Sequence, residues 1–85
     1  MSELDGHWDV PPLPGVAKRI EGDSGETIVG GVVRLPFDVR GLELHYRGPL
    51  AGLVDVLEPD GDGFRGRATL FGRTIGAFRL IRRAT

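Results

Sequence analysis

The amino-acid sequence predicts an all-β domain, an antiparallel up-and-down meander of about six strands that closes into a small barrel or is completed by a second copy. Three observations predict it. Val39 to Arg47 alternates with a period of two, with Leu42, Leu44 and Tyr46 on one face and Glu43, His45 and Arg47 on the other. Apolar runs rich in β-branched residues recur between turn signals built from Gly, Pro and Asp. Gly72-Arg73 separates two such runs by two residues, the spacing of a tight hairpin with Gly first.

Each element follows in order. Gly6 to Val10 is a short first strand, because the prolines at 11, 12 and 14 lack the N–H donor that a ladder needs. Val16 to Ile20 reads as a turn or short helix. Glu26 to Leu35 is a strand whose Gly30-Gly31 pair suggests a bulge or sharp bend. Pro36-Phe37-Asp38 turns the chain into the alternating strand, and Gly48-Pro49 turns it out again. Leu50 to Glu58 carries Leu53, Asp55 and Leu57 on one face and Val54 and Val56 on the other. Pro59 to Gly63 is the strongest turn signal in the chain, and Phe64 to Phe71 with Thr74 to Arg83 makes the last hairpin.

A turn at Gly72-Arg73 sets the register of that hairpin. Leu70 faces Ile75, Ala68 faces Ala77, Gly66 faces Arg79 and Phe64 faces Ile81, which makes this the inner face. Gly66, Ala68 and Ala77 then form a small-residue concave surface with room for a ligand or for tight bending. A slip of one residue would exchange the two faces. Asp55 lies between Leu53 and Leu57 and needs a partner, since an unpaired buried charge is costly. The register turns Arg79 inward to supply one. The pair reads as a structural ion pair or as the polar floor of a pocket.

The chain of 85 residues allows one domain, 1–85, and its 40% apolar and 27% charged content is that of a folded one. There is no cysteine, so no disulfide framework is possible. The acidic start Met1-Ser2-Glu3-Leu4-Asp5 is no signal peptide, and no apolar run approaches the ~20 residues needed to cross a bilayer. These features point to the cytoplasm and to no membrane partner. Residues 1–62 hold all 12 acidic groups and five basic ones, whereas 63–85 hold six arginines and no acid. A basic hairpin of this kind packs beside acidic neighbours or offers a patch to an anionic partner. The net charge of −1 argues against nucleic acid.

Gly6-His7-Trp8 resembles the G-x-W motif that opens the first strand of lipocalins and other calycins. In that superfamily an arginine near the end of the last strand packs across the tryptophan and closes the barrel base. The resemblance implies a calycin-like barrel here, with Arg82 or Arg83 stacked on Trp8 and Arg79 in reserve. It also implies a small hydrophobic ligand; together with the small-residue face and the inward polar pair read from the register, the candidate contacts are Trp8, Asp55, Gly66, Ala68, Ala77 and Arg79. Calycin barrels have eight or more strands and are longer. A six-stranded barrel has no cavity, so a pocket in this chain would need a splayed barrel or two protomers of a homodimer sharing it.

Catalytic signals are sparse. His7 and His45 have no third ligand at recognisable spacing, so no metal site is expected. Asp60-Gly61-Asp62 lacks the later oxygen ligands of a calcium loop and reads as a turn. Ser24 and Thr69 have no nucleophile elbow and no base. An enzyme reading would draw on Asp55, His45 and Tyr46, and no cofactor is implied. The expected role is therefore non-enzymatic binding of a small hydrophobic molecule as a homodimer. The alternative is an interaction module without a pocket, through the mixed face of Phe71, Phe78 and Leu80.

Overall fold

The structure is a computed structural model that describes residues 3–83; the first two residues of the acidic start lie outside it. Eight antiparallel strands form one closed barrel in sequential order. They are β1 (Gly6–Asp9), β2 (Val16–Glu21), β3 (Ser24–Val29), β4 (Val33–Arg40), β5 (Glu43–Tyr46), β6 (Leu53–Asp60), β7 (Gly63–Leu70) and β8 (Arg73–Arg82). A single 3-10 turn, Gly48–Leu50, follows β5. Among the described residues no helix is long and apolar enough to cross a membrane.

The all-β meander is as expected, but it has eight strands, not about six. The two extra strands come from segments that the sequence reading merged or made non-β. Val16 to Ile20 is β2, neither turn nor helix. Gly30 and Gly31 do not bend one strand. They sit at φ 62° and 77° in a hairpin loop that separates β3 from β4. Pro36-Phe37-Asp38 is no turn but the middle of β4, where Gly25 faces Phe37. The turn lies instead at Gly41-Leu42, between β4 and β5.

Closure occurs within one chain. β1 pairs with β8 through Trp8–Arg82 and Asp9–Ile81. Backbone bonds from Arg83 N–H to the His7 carbonyl and from Arg79 N–H to the Pro11 carbonyl, each 2.9 Å, extend the seam. A second copy is not needed to remove the sheet edges.

The β7–β8 hairpin turns at Phe71-Gly72, one residue earlier than expected. Both residues have positive φ, 49° and 84°, which is the pattern of a type I′ turn. A bulge near Thr69 then leaves Gly66 opposite Phe78 and Ala68 opposite Gly76. The net shift of one residue exchanges the faces of β8. Phe78 and Leu80 point into the core, while Ala77, Arg79 and Ile81 point outward.

Eight strands enclose a space just wide enough for side chains to fill. Trp8, Phe37, Leu44, Leu57, Phe64, Phe78 and Leu80 fill it, with Leu4 under the barrel end where the chain begins. A side chain at Gly66 would place its Cβ 2.3 Å from the Phe78 ring, and one at Gly25 would meet the Phe37 ring at 2.7 Å. Each glycine is the floor on which an aromatic ring from the next strand lies. The small residue at 66 therefore makes room for Phe78, and the space is taken.

Candidate functional site

Three features of the barrel bear on function: a polar cluster inside it, a stacked pair at one end and a groove on its outer wall. Lys18, on the inward face of β2, is 4% exposed. Its ammonium donates three hydrogen bonds, to Thr27 Oγ1 at 2.7 Å, to Tyr46 OH at 2.8 Å and to Asp55 Oδ2 at 2.9 Å. The Tyr46 hydroxyl donates in turn to Asp55 at 3.0 Å. Thr27 Oγ1 lies 2.6 Å from Tyr46 OH, and with its own proton directed there every donor has an acceptor. The rings of Phe37, Tyr46 and Phe78 surround the ammonium with centroids 5.4–5.5 Å away.

The electrostatics follow from this enclosure. Burial pulls the Lys18 ammonium below its usual 10.5, opposed by the Asp55 charge and hydrogen bond. Burial, then the Asp55 charge, pushes the Tyr46 hydroxyl far above its usual 10.0. No buried side-chain nitrogen or oxygen among the described residues lacks a partner. The cluster is thus closed to solvent and fully bonded. It fixes strands β2, β3, β5 and β6 to one another and leaves no donor free for a substrate.

Asp55 therefore has a partner as its position demands, but the partner is Lys18 and not Arg79. Arg79 points outward, with its guanidinium 3.7 Å from Asp60. Of the groups an enzyme reading would use, Tyr46 and Asp55 meet inside the cluster. His45 faces outward and lies 2.9 Å from Glu43. His7 is exposed, and no three metal-ligating side chains gather among the described residues. Thr69 Oγ1 donates to the Val54 carbonyl at 2.7 Å. Asp60 to Gly63 is a hairpin between β6 and β7.

At the end where the chain begins, the Arg82 guanidinium lies 4.2 Å from the Trp8 ring centroid. It also donates to the carbonyls of Asp5, at 2.7 Å, and Glu3, at 3.2 Å. The Trp8 indole donates to the Leu4 carbonyl at 2.8 Å, and Phe64 meets its ring edge-on at 5.5 Å. Trp8 is wholly buried in this plug, so it is a core residue with no surface for a ligand. Arg83 leaves the tryptophan to Arg82 and binds Asp9 at 2.6 Å.

The groove lies outside the barrel, between the Pro11-Pro12 segment and the outer faces of β6, β7 and β8. It has a volume of about 640 Å³. Val56, Ala77, Ile81 and the two prolines give it apolar walls, and Arg65, Arg67 and Arg79 rim it. Arg65 is 3.3 Å from Glu58. Arg67 donates to Thr74 Oγ1 at 3.1 Å and has no carboxylate partner among the described residues. Ala77 and Arg79, expected inside, meet here on the outer wall. Gly66 also borders the groove, whereas Ala68 is half-buried against the core and does not.

Lys18 and Thr27 were the residues that sequence reasoning missed. The signal was present: Val16, Lys18 and Ile20 alternate with Ala17 and Arg19, so a strand at 16–20 puts the only lysine on an apolar face. No family model, curated protein or solved structure matches the chain.

Proposed function

We propose that this protein is a non-enzymatic binding protein for a small hydrophobic molecule with an anionic end. In this reading the ligand lies in the outer groove and not in the barrel. The observation that carries it is the contrast between the two spaces. The interior is occupied by the bonded Lys18–Asp55–Tyr46–Thr27 cluster and its three rings, while the groove offers apolar walls beneath a guanidinium with no carboxylate partner among the described residues. Small-molecule sites combine an apolar lining with a few polar groups that fix orientation. Arg67 is the orienting group and Ala77 the wall that leaves space.

The binding unit in this reading is one chain, because the barrel closes by itself. Decanoate, an apolar chain with one carboxylate, is a suitable probe for calorimetric titration. Saturable binding to the wild type is expected, together with its loss in Ala77→Trp, which fills the groove from an exposed position. Binding that survives Ala77→Trp unchanged, or no saturable heat at millimolar probe, contradicts the reading.

A further inference from the structure

The two ends of the barrel differ in kind. The up-and-down order puts the β2–β3, β4–β5 and β6–β7 turns, the start of β1 and the end of β8 at the Trp8 end. Carboxylates crowd there, among them Asp23, Glu43, Asp60 and Asp62. The four connections at the far end, residues 10–15, 30–32, 47–52 and 71–72, contain no carboxylate. They expose large apolar side chains instead: Val32 at 80%, Phe71 at 79% and Leu13 at 49%, with Val33 and Ile75 beside them on the strands. Large apolar side chains exposed together at one end of a barrel mark an interaction surface.

Phe71 adds a second observation. It holds φ 49° at the first position of its type I′ turn, where Asn, Asp or Gly is favoured. A left-handed conformation costs a bulky residue strain, so an exposed aromatic kept there points to a use. Arg34, Arg47 and Arg73 lie near the rim; Arg34 is 2.9 Å from Glu26 and Arg47 is paired with Asp38, whereas Arg73 has no carboxylate partner among the described residues. The four rim connections hold no carboxylate, so a second copy meeting rim to rim would bring Arg73 no acid from them. An apolar surface bearing negative charge complements the rim.

We propose that the far rim docks on an anionic lipid surface. Phe71, Val32 and Leu13 enter the boundary between headgroups and acyl chains, and Arg73 meets the lipid phosphates. This is peripheral seating and not a span. The inference rests on the rim and not on the groove, so loss of decanoate binding leaves it standing.

The test is flotation of the whole chain with vesicles of phosphatidylglycerol and phosphatidylcholine, against vesicles of phosphatidylcholine alone. The expected result is association with the anionic vesicles that weakens as salt rises. Phe71→Asn suits the turn and preserves folding, and it is expected to weaken association about tenfold or more. Three results would overturn the proposal. One is no association with either vesicle. Another is equal association of wild type and a folded Phe71→Asn/Val32→Asn variant. The third is a concentration-dependent dimer, abolished by Phe71→Asn, in a protein that ignores vesicles.

Discussion

Lys18 Nζ lies 2.9 Å from Asp55 Oδ2 in the middle of the barrel, both side chains nearly sealed from water. The pair links β2 to β6 across the interior, and Thr27 and Tyr46 complete the ammonium's hydrogen bonds. A buried pair of this kind is weak evidence of net stability, since an apolar pair of similar volume often serves as well. Removal of one partner is a different matter, because the other charge is stranded.

Lys18→Met is accordingly expected to destabilise the fold by about 3–5 kcal/mol, and Lys18→Met/Asp55→Leu to recover most of that loss. Denaturant unfolding of the two variants beside the wild type measures both. Equal loss in the single and double variants would show that the charges are not coupled.

Tyr46 is the only tyrosine, so absorbance at 295 nm reports its ionisation alone. Its folded pKa is raised above the ordinary 10.0. The folded state therefore keeps a proton that the unfolded chain releases, and stability falls as pH rises beyond 10. Lys18, with its pKa lowered from 10.5, acts oppositely, adding stability with rising pH only up to 10.5. Above that value the tyrosine effect stands alone. Tyrosinate is expected to appear together with unfolding followed by circular dichroism. Tyrosinate formed near pH 10 in an intact barrel would contradict the sealed cluster.

Gly66 and Gly76 sit in facing strands of one hairpin and separate two meanings of glycine. Gly66→Ala drives a Cβ into the Phe78 ring and is expected to cost about 1–3 kcal/mol. Gly76 has nothing within 4 Å of such a Cβ, so Gly76→Ala is expected to be neutral or to stabilise by about 0.5 kcal/mol. Thermal unfolding of both variants checks the order; a reversed order would mean that the register of β8 is wrong.

Arg82→Ala removes the stack on Trp8 and two bonds to the N-terminal carbonyls. A loss of about 1–2 kcal/mol is expected. The sole tryptophan should also shift its emission to the red as water reaches it. Unchanged emission would show that the arginine does not cover the ring.

The all-β meander was legible because alternation survives wherever one face is buried, as at Leu44 and Tyr46. The strand count was not, because short strands joined by tight turns look like one long strand. Gly30-Gly31 is as compatible with a bulge as with a hairpin, and Pro36 is tolerated inside β4. The Trp8–Arg82 contact was within reach of the sequence, since the ends of first and last strands must adjoin in a barrel. The internal pair was half legible: the need of Asp55 for a cation was readable, its identity was not. The misplaced turn explains the error. Gly72 drew the hairpin to Gly72-Arg73, whereas the chain places Phe71 at positive φ, a choice that local propensity disfavours.

A filled barrel with its ligand seat on the outer wall is the function we propose. Amide chemical-shift mapping during a decanoate titration tests it most directly. Saturable shifts are expected at Val56, Arg67, Ala77 and Ile81 with the Trp8 indole unmoved. Saturable shifts centred on Lys18, Tyr46 and the Trp8 indole, with the outer wall silent, would mean that the interior opens to ligand and would contradict it.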